Sequence, residues 1–173
     1  MSSVLHTATV GVFLQILPQV GRLIDKAEAH CREHGWPASA LIDARLAPDM
    51  WNFGKQVQYV VLSSAGAVEA LRSGRSGPDL TEPPADFAPL RQAVSDAIAV
   101  LQAVEPGEID GAAERDVVFA FSGGGMEYLG EDFLLSFSLP NFFFHAATAY
   151  AVLRNQGVEV GKRDFLGRVR VKR

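Results

Sequence analysis

Cysteine is all but missing from this 173-residue chain: Cys31 stands alone, so no internal disulfide and no cluster of thiolate ligands can form. A basic excess is missing too. Sixteen Lys and Arg face 20 Asp and Glu, a net charge of −4, which excludes a basic nucleic-acid binder for the chain as a whole. No Lys or Arg occurs in Met1 to Gly21, although a secretory signal needs a basic stretch ahead of its apolar one. Phe133 to Leu153 lacks any charge over 21 residues, enough to cross a bilayer, yet it carries Ser136, Ser138, Pro140, Asn141, His145 and Thr148. Those polar groups would need partners inside lipid, so the run reads as a buried helix and not a span. What is present is an apolar share of 48% with 21% charged, which excludes a disordered tail. The expectation is a soluble, cytoplasmic chain of one domain.

Four helical stretches emerge from the periodicity. In Leu5 to His34, residues Phe13, Leu17, Val20, Ile24 and Ala27 step by four, three, four and three, one helix face. Pro18 inside that pattern predicts a kink or a break, and Gly35 a stop. A turn-rich connector leads to a second helix over Met50 to Arg72, with Val57, Val61, Ser64, Val68 and Leu71 on its stripe and Gly74 as its end. Arg75 to Asp86 reads as loop. Phe87, Leu90, Val94, Ala97, Leu101 and Val104 form the cleanest stripe, a third helix ended by Pro106 and Gly107. Asp116 to Gly130 then reads as a small hairpin around Ser122 to Gly125, a glycine-rich turn without the lysine of a phosphate loop. The fourth helix starts near Glu131, restarts at Pro140 and ends at Asn155 to Gly157. Such helices with short connections imply an all-α, up-down four-helix bundle with a β-hairpin inserted before the last helix.

The polar residues inside those apolar faces are the candidates for function. His145 lies one turn from Phe142 and from Ala149 and should point inward, with Asn141 four residues earlier on the same face. Gln56 on the second helix is a third inward polar group. Buried amides and imidazoles need partners, so the three predict either a polar pocket or a mutual network. His30 and His34 repeat the four-residue spacing beside Cys31, but at a polar helix end. Asp43, Arg45, Asp49 and Lys55 predict loop-fixing ion pairs. The tail from Lys162 to Arg173 holds six basic residues against Asp164, interleaved with Phe165, Leu166, Val169 and Val171, and reads as packing along the bundle with solvated charges.

Three segments carry a family resemblance. They are Ala44-Arg45-Leu46-Ala47-Pro48-Asp49-Met50 with Gln56-Val57-Gln58-Tyr59 behind it, Leu139-Pro140-Asn141-Phe142-Phe143-Phe144-His145 running into Thr148-Ala149-Tyr150, and Gly161 to Gly167. Together they resemble the bacterial family of the domain of unknown function nineteen-ninety-three, within the DinB/YfiT-like four-helix-bundle superfamily. The resemblance implies a bundle fold and no assigned activity. That superfamily usually holds a divalent metal on three histidines, one on the second helix and a His-x-x-x-His pair on the last long one, and some members are thiol-dependent transferases. Here the three positions resemble Gln56, Asn141 and His145, and only the last is histidine. The expectation is therefore a degenerate metal pocket lined by Gln56, Asn141, His145 and Tyr150. It would belong to a non-catalytic or small-ligand-binding protein with no cofactor and no nucleic-acid or membrane partner. The Phe-rich composition, 11 Phe against 3 Tyr and 2 Trp, and the resemblance together suggest a homodimer. The alternative is a metal-dependent or thiol-dependent enzyme, with a divalent ion on His145 or with His145 as general base assisted by Tyr150 or Asp49.

Overall fold

The computed structural model describes residues 3–172. It is mostly helical, with one small three-stranded sheet. In chain order the elements are α1 (Val4–Ala8), α2 (Val10–His34), α3 (Ser39–Ile42), α4 (Phe53–Leu62), α5 (Ala65–Ser73), β1 (Arg75–Ser76), α6 (Phe87–Gln102), α7 (Pro106–Gly111), β2 (Asp116–Phe121), β3 (Gly124–Leu129), α8 (Gly130–Asp132), a π-helical stretch (Phe133–Ser138), α9 (Leu139–Asn155) and α10 (Lys162–Leu166).

The four long helices pack in a ring: α2 lies against α6 and α9, and α4 against α9 and α6. The stripe expected on the first helix is buried throughout, as is the α6 stripe. Phe13 meets Phe142 edge-on at 4.8 Å in the middle of the core. By length and composition the run Val4–His34 could cross a membrane. Its apolar face, however, is covered by α6 and α9.

Local chemistry moves several boundaries. Pro18 does not break α2, which runs unbroken from Val10 to His34; the interruption falls at Thr9 instead. Gly35 closes α2 in the left-handed region at φ 67°. The second helix divides at Ser63 and Ser64. The Ser64 hydroxyl donates to the Val60 and Val61 carbonyls at 2.7 and 3.2 Å, competing with the backbone ladder, so α4 and α5 are separate. Pro106 opens α7 as well as following α6. Arg75 and Ser76, expected as loop, form a two-residue strand parallel to β2, too short for any periodicity to reveal. The hairpin expected from sequence is present, with β2 and β3 antiparallel from Asp116 opposite Leu129 to Phe121 opposite Gly124.

The α-helical part of the last helix begins at Leu139 with Pro140 in its first turn, one residue from the expected restart. The chain is helical from Gly130 to Asn155, and a π-helical stretch ends two residues before the proline. The proline ring would collide with the Ser136 carbonyl in a regular α-turn, and the wider π-turn gives it room. Gly130 begins this helix because a Cβ there would collide with the Ala112 carbonyl oxygen. Asn52 caps α4 by accepting from the Lys55 amide at 2.9 Å. Asn52→Ala should lower stability by about 1 kcal/mol, read as a lower urea midpoint at unchanged slope.

Candidate functional site

Phe137, Asn141 and His145 are spaced by four and share one face of the last helix, turned toward α4. Gln56, one turn into α4, meets them there. Its side chain is buried, and its Nε2 donates to the Trp51 carbonyl at 3.2 Å. A carbonyl only accepts, so that bond fixes which end of the amide faces Trp51. The other end, Oε1, then lies 2.8 Å from Nδ1 of His145. An amide oxygen also only accepts, so Nδ1 carries the hydrogen. Burial of the ring, 4% exposed, pushes the His145 pKa down to about 4, so the imidazole is neutral at pH 7. Its Nε2 is consequently an unprotonated acceptor, and no described hydrogen bond engages it.

His145 sits in an aromatic frame. Trp51 stacks over it with centroids 5.7 Å apart and planes 16° from parallel, Tyr59 lies at 5.1 Å, and Phe144 approaches edge-on at 5.2 Å. These rings and the imidazole border a pocket of about 250 Å³ whose lining also includes Phe119 of β2 and Phe137. The sheet thus contributes to the pocket, with Phe119 packed on Phe137 at 4.8 Å. Trp51 and Phe144 keep 42% and 57% of their surface exposed and form its rim. Among the described residues no Asp, Glu, Lys or Arg lines the pocket; its polar members are Ser63, Ser76, Ser138, Asn141, His145 and Tyr59. Burial and the nearby Asp79 carboxylate push the Tyr59 phenol up, and its hydroxyl points away to donate to the Asp79 carbonyl at 3.2 Å.

Gln56 and His145 are thus joined directly, and Asn141 shares the pocket wall with His145. The Asn141 amide donates to the Phe137 carbonyl at 2.7 Å. Tyr150 is not among them: it packs at 6.1 Å on Phe165 of α10, on another part of the last helix. Asp49 does not line the pocket either. Trp51 and Tyr59, two of the three rings of the frame, were not singled out as site residues from the sequence. Tyr59 sits three residues after Gln56 on α4, the one cue that was available.

The other candidates resolve into structure. His30 and His34 stack on each other at 4.1 Å with Trp36 beside them. Among the described residues no ion pair links Asp43, Arg45, Asp49 and Lys55; backbone carbonyls take their place. Arg45 donates to the Met50 carbonyl at 2.5 Å, and Lys55 to those of Asp79 and Thr81 at 2.7 and 2.5 Å. The basic tail packs along α2, held by Lys26 to Asp164 at 2.8 Å and by Gln15 to the Leu166 carbonyl at 3.1 Å. Cys31 is buried, its thiol pushed up by that burial.

A divalent ion needs three or four nitrogen, oxygen or thiolate donors. Among the described residues no group of three or more His, Cys, Asp or Glu is placed to supply them. Both ends of the Gln56 amide are engaged, on His145 and on Trp51, which leaves one imidazole nitrogen and the Asn141 amide oxygen. The residues present do not fit a three-histidine metal centre.

A mostly helical fold with one buried polar relay on α4 and α9 defines the class. The chain belongs to the family of the domain of unknown function DUF1993, whose model matches residues 5–166. A crystal structure of a DinB family member protein from Shewanella denitrificans is similar to it with a TM-score of 0.81 at 29% identity, covering 98% of this chain and 95% of that one. No curated protein matches it significantly.

Proposed function

We propose that this protein is a DinB-type up-down four-helix bundle that binds a small organic molecule in the α4–α9 pocket and works there without a resident metal. The observation that carries the reading is the neutral His145 held in an uncharged aromatic pocket with its Nε2 turned to no partner. Ligand sites are concave, mostly apolar and furnished with a few placed polar groups, and this pocket has that character. Proton abstraction is the poorer use of such a ring. A histidine titrating at about 4 is a weak base at pH 7, where an effective general base titrates nearer the working pH.

The size sets the ligand. An engineered apolar cavity of ~150 Å³ holds benzene, so a pocket of about 250 Å³ suits one or two rings. The test is a thermal melt. Indole at about ten times its Kd should raise Tm by roughly 3–6 °C, and pyrene, with four rings, should not move it. Chelator or added zinc should leave Tm unchanged. An indole melt no different from that of the free protein would sink the ligand-binding reading, and a zinc-dependent rise in Tm would sink the metal-free one.

A further inference from the structure

The hydrogen-bond chain from the Trp51 carbonyl through Gln56 to His145 does more than hold a ring in place. Each link allows one direction of donation. The Trp51 carbonyl must accept, so Gln56 must present its oxygen to His145, so Nδ1 must donate, and in the buried, neutral ring Nε2 is left to accept. The backbone at the start of α4 therefore dictates the hydrogen-bonding character of an atom on α9. We infer that the pocket selects a neutral one- or two-ring aromatic molecule bearing an N–H or O–H group, which donates to Nε2 of His145. The proposal rests on the ligand-binding reading above and names the ligand's class.

Two further features of the pocket narrow the choice. Its lining includes the rings of Trp51, Tyr59, Phe119, Phe133, Phe137 and Phe144, an aromatic surround that suits a planar apolar ring. A charged group would be left unmatched there, since no ionised side chain lines the pocket. The outer groove beyond Trp51 and Tyr59 offers no net charge either: Arg45 and Lys55 share it with Asp79 and Glu82. Inside the pocket a carboxylate or ammonium ligand has no counter-charge among the described residues, and an acceptor-only group placed at Nε2 would set its lone pair against that nitrogen's.

Indole and indene test this, because they share one shape and differ only in N–H against CH₂. Titration calorimetry on the full chain should show indole binding about tenfold more tightly than indene, the worth of one net hydrogen bond. Benzoate should give no measurable heat of binding. Nitrogen-15 spectra of the free protein should show His145 protonated on Nδ1, with the Nε2 signal moving on addition of indole and staying put with indene. His145→Phe keeps a ring in place and should bring the two affinities together. If that variant does not fold, the spectra of the unaltered protein decide. Equal affinities for indole and indene, or an Nε2-protonated ring, would overturn donor selection while leaving the pocket as a ligand site. Benzoate binding more tightly than indole would overturn the neutral class. Failure of indole to bind at all would overturn this inference together with the ligand-binding reading.

Discussion

Lowering the pH from 7 to 4 should cost this protein about 3 kcal/mol of folding stability through His145 alone. Burial holds the folded ring's pKa at about 4, whereas an unfolded histidine titrates near ~6.5. Between those values the unfolded chain binds a proton that the folded chain excludes, so acid favours unfolding. The contribution is complete above ~6.5, shrinks as the pH falls toward 4, and levels off below, where both states are protonated. A shift of roughly 2.5 pH units corresponds to about 3 kcal/mol. Two carboxylates act in a separate window. Burial opposes the ionisation of Asp79, but the Thr81 hydroxyl and amide, the Gln58 amide and Lys55 together hold its carboxyl below the usual value of 3.8. The Lys26 ammonium and the Gly161 amide do the same for Asp164. Their contributions are lost only as the pH drops below that value. Urea melts taken at half-unit steps from pH 7 to 4 check the expectation. The slope in this window should flatten in His145→Phe, whose overall stability is lower because the Gln56 oxygen loses its partner. An unaltered slope in that variant would mean that the ring is not held neutral by burial.

Gln56→Leu should be the most damaging single change in the site, lowering stability by about 3 kcal/mol. Leucine fills much of the same volume but leaves two groups without their partners, the part-buried Trp51 carbonyl and the buried Nδ1–H of His145. Each such loss costs about 1–3 kcal/mol, and the two are coupled through one side chain, so they will not add fully. The consequence for binding is distinct from the loss of stability. Without Gln56 nothing fixes the tautomer of His145, and its nitrogens can exchange roles. The preference for a donor-bearing ring should then weaken even in protein that remains folded. Chemical denaturation gives the first effect, and the indole-to-indene affinity ratio of the folded variant gives the second. A Gln56→Leu protein as stable as its parent would show that the relay is not buried as described.

Much of this arrangement could be read from residue order. The stripes of α2 and α6 repeat every three and four residues over several turns, and periodicity of that length survives any tertiary context. The hairpin was legible because a serine-glycine turn separates two β-prone runs. His145 facing inward with Asn141 a turn earlier followed from the same spacing rules, whereas Gln56 was placed only by its position along the second helix. Periodicity misreads where a side chain competes with the backbone. Ser64 lies on the α4 stripe yet ends the helix, because its hydroxyl takes the carbonyls of the preceding turn. Pro18, where a kink or a break was expected, lies inside a helix that continues, as packing of an amphipathic face outweighs one missing bond. Tyr150 shares a helix with His145 but not its direction, and it meets α10 instead.

The sequence by itself therefore determined the helical class, the family, the buried faces and the inward histidine, since each depends on residues near one another in the chain. Only the tertiary structure decided what that histidine is. Trp51 and Gln56 precede it by some 90 residues, and their contacts with it depend on α4 packing beside α9. The direction of a hydrogen-bond chain is set by which donor meets which acceptor in space. No spacing along the chain encodes that.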